Sequence, residues 1–288
     1  MSYESESHAL DAEILSLIDG WHRSGDAIDD RAFNDLALRL FAYQLKYNRE
    51  YARYCAQLGV TPSSLPPSWE EIPAVPAGAY KEALLATFDP TRAELVFETS
   101  GTTRGSPGRH YMERPTLYDA ALLAGFDRFV LGDGESLRYL NLVPNPSERP
   151  HSSLGYMMAR VSEKRGDGRT GWYLHGDELL YESFLGDVRV AIAEQRPLCL
   201  TATAFALVHL LDAMDERGER LRLPRKSRVI ETGGFKGRVR SVDRGELYER
   251  ICDRFGVAVE AIVAEYGMTE LTSQYYDAPA AGGPALRR

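Results

Sequence analysis

Ala93-Glu94-Leu95-Val96-Phe97-Glu98-Thr99-Ser100-Gly101-Thr102-Thr103, continuing through Arg104-Gly105-Ser106-Pro107-Gly108-Arg109-His110, is the stretch that decides how this chain is read. Its start, Ala93 to Phe97, is short, apolar and rich in β-formers, which predicts a buried strand. From Thr99 to His110 the chain is dense in glycine, hydroxyls and positive charge. A triphosphate needs several donors converging at short range, and glycine lets backbone N–H groups approach with no Cβ in the way. Thr99, Ser100, Thr102 and Thr103 add hydroxyl donors, and Arg109 supplies a planar, charge-matched fork. The stretch reads as a strand entering a nucleotide-phosphate loop, with an ordinary Ser/Gly turn left open as the alternative. It is not Walker-type, because no Gly-Lys-Ser or Gly-Lys-Thr occurs anywhere. A nucleophile elbow also fails, since Arg104 stands where its first glycine must be.

Around this stretch, 288 residues with 44% hydrophobic content suffice for one large domain or two modest ones. A net charge of −8 argues against a nucleic-acid partner, whose phosphates reward a basic face. Cys55, Cys199 and Cys252 lie far apart and the six histidines form no H-x-x-x-H pair, so neither a disulfide framework nor a zinc site is indicated. The acidic Met1–Glu6 start lacks an apolar signal core. The longest apolar tract, Leu198 to Leu211, is interrupted by Thr201, Thr203 and His209 and is too short to span a bilayer. The expectation is a soluble cytoplasmic protein with no membrane span.

Asp30 to Leu58 predicts one helix, with Phe33, Ala37, Leu40, Gln44, Tyr47, Tyr51 and Tyr54 on its core stripe. Gly59 to Pro76 holds five prolines and reads as a tethered loop. Beyond it, short apolar runs alternate with amphipathic helices. Arg138–Val143, Leu198–Thr201, Ser227–Glu231 and Val257–Ala264 read as strands. A helix carrying Leu207, Leu210, Leu211 and Met214 ends at Gly218, and another starts at Asp243 with Glu246 as its capping box and ends at Gly256. This alternation predicts an α/β fold with mostly parallel sheets flanked by helices. Ligands of such sheets sit at the carboxyl ends of the strands. Polar clusters fall there: Thr99-Ser100-Gly101, Asn145-Pro146-Ser147, Thr232-Gly233-Gly234 and Glu265-Tyr266-Gly267.

In Glu265-Tyr266-Gly267-Met268-Thr269-Glu270, Tyr266 offers a ring to stack on a purine and Gly267 a close backbone approach. Thr269 adds a phosphate-directed hydroxyl, and Glu270 is a hard oxygen ligand suited to Mg²⁺. A tyrosine corner with a capping glutamate is the plain alternative. Taken with the Thr99–Thr103 loop, the motif resembles the Tyr-Gly-x-Thr-Glu signature of the adenylate-forming superfamily of acyl-CoA synthetases, adenylation domains and luciferases. Within it the chain is most similar to the acyl-protein synthetases related to the bacterial bioluminescence fatty-acid ligase. Phe41 to Lys81, Ser152-Ser153-Leu154, Thr232-Gly233-Gly234-Phe235-Lys236 and Glu265 to Asp277 extend the resemblance over residues 33 to 277.

The resemblance implies the large N-terminal domain of an adenylate-forming enzyme. It would span residues 1–277, with a helical lead-in to about residue 90, a nucleotide-binding core over 91–277 and a tail over 278–288. Thr99, Ser100, Gly101, Thr102, Thr103 and Arg109 would hold the ATP phosphates. Gly233, Gly234 and Phe235 would wall the adenine, with Tyr266 stacked on it and Gly267 and Met268 alongside. Thr269 would contact the α-phosphate, Glu270 would hold magnesium, and Lys236 would offset charge nearby, these three forming the catalytic group. His151, Ser152 and Ser153 would line the acyl-carboxylate pocket. The implied chemistry activates a carboxylic, fatty-type acid as acyl-AMP and passes it to a thiol, from a cysteine of the enzyme, a partner protein or a carrier. Family members continue past Asp277 into a C-terminal lid with the ribose-binding Asp and, in the bioluminescence ligases, the acceptor cysteine, which the resemblance implies are absent here. Two further readings stay open: a noncatalytic nucleotide- or acyl-binding relative, and a fragment completed by another chain. The cysteines read as core residues. Thr201–Ala206 reads either as a channel lining or as close helix–sheet packing.

Overall fold

The computed structural model describes residues 2–99, 106–132, 134–176, 178–233 and 243–277. Two compact units divide the chain, Met1–Ala124 and Gly125–Arg288.

The first unit contains α1 (Tyr3–Ser24), α2 (Asp30–Tyr47), α3 (Arg49–Gln57) and the short α4 (Ala79–Glu82), then a hairpin of β1 (Leu95–Glu98) and β2 (Arg109–Met112). The single helix expected over Asp30–Leu58 is two. Asn48 ends α2 and caps α3, its side-chain oxygen accepting from the Tyr51 N–H at 3.2 Å. Asparagine competes with helical backbone bonding and is favoured at such a cap. The break rephases the stripe: Leu36, Phe41, Tyr43, Leu45, Tyr51 and Cys55 are buried, whereas Phe33 is 41% exposed. The proline-rich segment is tethered as expected, by Tyr51 donating to the Pro73 carbonyl at 2.7 Å and Tyr54 to that of Ala74 at 3.1 Å.

The unit boundary falls within α5 (Thr116–Phe129). The second unit continues with β3 (Leu137–Leu142), α6 (Ser153–Arg165), β4 (Gly166–Trp172), β5 (Leu174–His175), β6 (Glu178–Leu179) and α7 (Tyr181–Ala193). Next come β7 (Leu198–Thr203), α8 (Ala204–Glu216), β8 (Arg228–Thr232), α9 (Arg244–Phe255), β9 (Ile262–Gly267) and β10 (Gln274–Tyr276). Six of these strands form one sheet in the order β10-β9-β8-β7-β3-β4, parallel throughout except for β10. The α/β reading is thus realised.

Asp243 caps α9 as the sequence predicts, accepting from the N–H groups of Gly245 and Glu246. The strand expected from Val257 begins only at Ile262. Val259–Ala261 is instead a 3₁₀ turn with Val259 half exposed, because the chain leaving α9 must double back before it can enter the sheet.

Alternation along the strands sorts the two faces. Leu140, Leu142, Leu198, Leu200, Ala202, Val229 and Ile262 pack with α7, α8 and α9 in one apolar cluster. Ala202, Ala204 and Ala206 belong to it, so the small residues of that stretch serve close helix–sheet packing. The opposite face carries Tyr139, which meets Phe126 of α5 at 6.2 Å between ring centroids. Among the described residues no helix is long and apolar enough to cross a membrane.

Candidate functional site

The sheet order places a switch point between β3 and β7. From β3 the chain crosses outward through α6 to β4, while from β7 it crosses the other way through α8 to β8. Right-handed crossovers put α6 and α8 on opposite faces and open a crevice at the carboxyl edge.

α6 starts at that edge. Ser152 is its N-cap, accepting from the Gly155 N–H at 3.1 Å, with the exposed His151 in the turn before it. A Cβ on Gly155 would lie 2.4 Å from the Pro144 carbonyl oxygen, so only glycine lets the helix begin this close to the end of β3. The loop between is internally braced. Asn145 Oδ1 accepts from the Ser147 N–H and hydroxyl at 3.0 and 2.9 Å, and Glu148 accepts from Gly176 N at 3.2 Å while pairing with His175 Nδ1 at 2.7 Å. The first-turn N–H groups of α6 and its dipole favour an anion at this end.

Ser153, the first residue of α6, has its Oγ 3.4 Å from Thr269 Oγ1, 116 residues away in sequence. Two stretches singled out separately from the sequence therefore meet in the second unit. Met268, Thr269 and Glu270 form the turn after β9, closed by the Leu271 N–H donating to the Met268 carbonyl at 3.0 Å. Glu270 is partly exposed there. Tyr266 is 38% exposed and pairs across strands with Tyr275, ring centroids 6.3 Å apart. By alternation Tyr266 faces the α9 side of the sheet, whereas Glu265 and Gly267 face the α5 side.

Thr232 and Glu265 are register partners at the ends of β8 and β9, each 5% exposed, and the threonine hydroxyl donates to the carboxylate. Gly233 comes directly after Thr232. Deeper on the same face lie Asn141 and Thr201, partners across β3 and β7 and fully buried. Sequence reading gave Asn141 no role and took Thr201 as the start of the stretch Thr201–Ala206; the signal was a polar residue inside an otherwise apolar strand run. No three His, Cys, Asp or Glu side chains group as a metal site among the described residues. Magnesium usually binds through one or two carboxylates with phosphates and water supplying the rest, and the partly exposed Glu270 carboxylate is chemically compatible with that.

In the first unit, Thr99 and Gly108 close the neck of the loop between β1 and β2. The Thr99 N–H donates to the Gly108 carbonyl and the Gly108 N–H to Thr99 Oγ1, both at 2.9 Å. Arg109 is 55% exposed in its side chain and donates from Nε to its register partner Glu98 at 2.9 Å, so a phosphate there must share the guanidinium with a carboxylate. Ser100, Gly101, Thr102, Thr103, Gly234, Phe235 and Lys236 lie outside the described residues. Beside β2 is a cavity of about 330 Å³ walled by Gln44, Asn48, Tyr51, Tyr80, Phe88, His110 and neighbours, to which the sequence assigned no ligand role.

Burial disfavours the reactive thiolate at the described cysteines. Burial pushes the Cys199 thiol up to about 12, and burial also raises Cys55 and Cys252. Because the folded-state value lies above the unfolded one, Cys199 contributes stability that is intact below about pH 9 and fades as pH rises toward 12. In the folded protein at pH 8, mass spectrometry after brief iodoacetamide treatment is expected to find Cys199 unmodified, with full labelling in urea. Rapid labelling without urea contradicts this assignment.

A family profile described as "Acyl-protein synthetase, LuxE" matches residues 12–278. No curated protein matches the chain by sequence. Among solved structures, an open conformation of 2-hydroxyisobutyryl-CoA ligase in complex with 2-HIB-AMP and CoA aligns with a TM-score of 0.57 at 16% identity, covering 83% of this chain and 50% of that one. This chain thus spans about half the length of that ligase. An adenylation domain of a keto acid-selecting NRPS module aligns at TM-score 0.42 and 16% identity, over 67% of this chain and 33% of that one. A long-chain-fatty-acid-CoA ligase (FadD1) from Archaeoglobus fulgidus aligns at 0.41 and 13%, over 66% and 34%. The likeness to the first shows a shared fold over about half of that ligase.

Proposed function

The chain belongs to the LuxE family of acyl-protein synthetases, and on that basis we propose that it activates a carboxylic acid of the fatty type with ATP. The observation that carries this reading is the 3.4 Å approach of Ser153 to Thr269. Joining an acid to a nucleotide requires the carboxylate and the α-phosphate to sit side by side, near attack distance. Ser152 and Ser153 at an anion-favouring helix start, against Thr269 at the turn after β9, supply two such neighbouring places.

A carboxylate oxygen forms a bond to the α-phosphorus, and the bond from that phosphorus to the bridging oxygen breaks, its electron pair leaving with pyrophosphate. A thiol then attacks the acyl carbon and AMP departs. Thr269 orients the α-phosphate and the start of α6 holds the acid. Thr99, Arg109 and the intervening loop residues Ser100, Gly101, Thr102 and Thr103 hold the outer phosphates. Gly233, Gly234, Phe235, Tyr266, Gly267 and Met268 flank the adenine, and Lys236 offsets charge. Magnesium on Glu270, when bound, neutralises phosphate charge. The acyl acceptor is a thiol of a partner protein or carrier, a reading supported by the burial of Cys55 and Cys199. Dependence on ATP suits a cytoplasmic setting, and residues 1–277 would act as the N-terminal domain, with 278–288 as its tail.

Exchange of labelled pyrophosphate into ATP across a panel of acids tests the reading. Acid-dependent exchange is expected. ATP-dependent thermal stabilisation without exchange from any acid would favour the noncatalytic binding module.

A further inference from the structure

We infer that Glu265 is a positioning residue that fixes the ends of β8 and β9, at Thr232 and Gly267, as one unit and thereby sets nucleotide affinity; this rests on the adenine-flanking role proposed above. Four observations carry it. Glu265 is an acid 5% exposed at the carboxyl edge, where an uncompensated charge is costly. Its Oε2 accepts from the Thr232 hydroxyl, tying β9 to the last residue before Gly233. Its Oε1 lies 2.7 Å from where a Cβ on Gly267 would stand, so the carboxylate occupies the room that this glycine leaves. Thr232 and Glu265 are Cα partners, so the bond adds a side-chain rung at the mouth of the parallel ladder, beyond the Val229–Ile262 pair where it begins.

Among the described residues the β8–β9 ladder ends at the Thr232–Glu265 pair, and there the carboxylate joins Thr232, just before Gly233, to the Tyr266–Gly267 end of β9. Removing it loosens these two strand ends against each other and makes a bound purine bear the ordering cost. In this role Glu265 acts through Thr232 and Gly267.

The test measures ATP affinity by titration calorimetry, at a temperature where each variant is folded, for Glu265→Ala, Glu265→Gln and Gly267→Ala. Glu265→Ala is expected to weaken ATP by about tenfold, a size usual for coupling between residues in direct contact. Glu265→Gln retains an acceptor and is expected to recover most of that loss. In pyrophosphate exchange the effect is expected in KM for ATP and not in KM for the acid, a split that mere loss of stability would not produce. Gly267→Ala is expected to be harmful in the native background and to add little in Glu265→Ala, where its clash partner is gone. Unchanged ATP affinity in Glu265→Ala, or an equal Gly267→Ala penalty in both backgrounds, overturns the inference. Failure of the unaltered chain to bind ATP overturns the functional reading itself; the stability coupling between positions 265 and 267, read in urea, then still reports whether the lock exists.

Discussion

Glu270→Ala is expected to lower acid-dependent pyrophosphate exchange by about 10²- to 10³-fold, the usual cost of removing one group aimed at developing charge in the transition state. Donor count is the reason. Magnesium usually binds through one or two protein carboxylates with substrate phosphates completing its shell, so in the proposed site the loss of Glu270 removes a large share of what the protein supplies. Glu270 sits in the turn after β9 and is partly exposed, so its removal leaves the core intact. Circular dichroism and the urea midpoint should therefore match those of the unaltered protein while exchange collapses. Raising magnesium should recover part of the rate if the loss is one of ion affinity. Exchange within about twofold of the unaltered rate would remove Glu270 from the mechanism.

The second large effect concerns stability alone. Asp167→Ala is expected to cost about 3–5 kcal/mol, the range found when one member of a buried ion pair is removed. Asp167 and Arg138 have side chains 4% and 6% exposed, and Asp167 Oδ2 accepts from Arg138 at 3.3 Å and from Arg196 at 3.2 Å. Removing the carboxylate strands a guanidinium in low dielectric, with only Glu194 at 2.7 Å to answer it. Arg160–Glu163 gives the contrast: an i,i+3 pair with the glutamate 55% exposed, expected to be worth only about 0.3–0.5 kcal/mol. Urea denaturation of Asp167→Ala and Glu163→Ala compares the two directly. Similar midpoints for both would show that the Asp167 cluster is more hydrated than its burial implies.

Local signals were legible where chemistry is local. The β3, β7 and β8 strands and the Asp243 cap could be read from runs of apolar residues and from capping residues, because period and cap chemistry act within a few residues. The two-helix break at Asn48 was not legible, since an asparagine in an amphipathic run looks like surface until both neighbouring helices need its side chain. β9 was placed early because Val257 and Val259 mimic a strand, while the path back from α9 is a property of the assembled unit. At the site, Ser153 and Thr269 were each nominated by their own motifs, but their approach depends on α6 and the β9 turn folding over one edge. Glu265 and Thr232 were visible only as parts of polar clusters; their bond requires the sheet register. Asn141 and Thr201 carried no motif at all.

The paired bonds between Thr99 and Gly108 govern how this region can change. With Thr99 and Gly108 bonded to each other at the end of the hairpin, changes between them are expected to leave the β1–β2 register in place. Added length costs only slowly increasing closure entropy. The hairpin is in that sense a cassette frame, whose contents are expected to tolerate exchange without the rest of the fold having to be renegotiated.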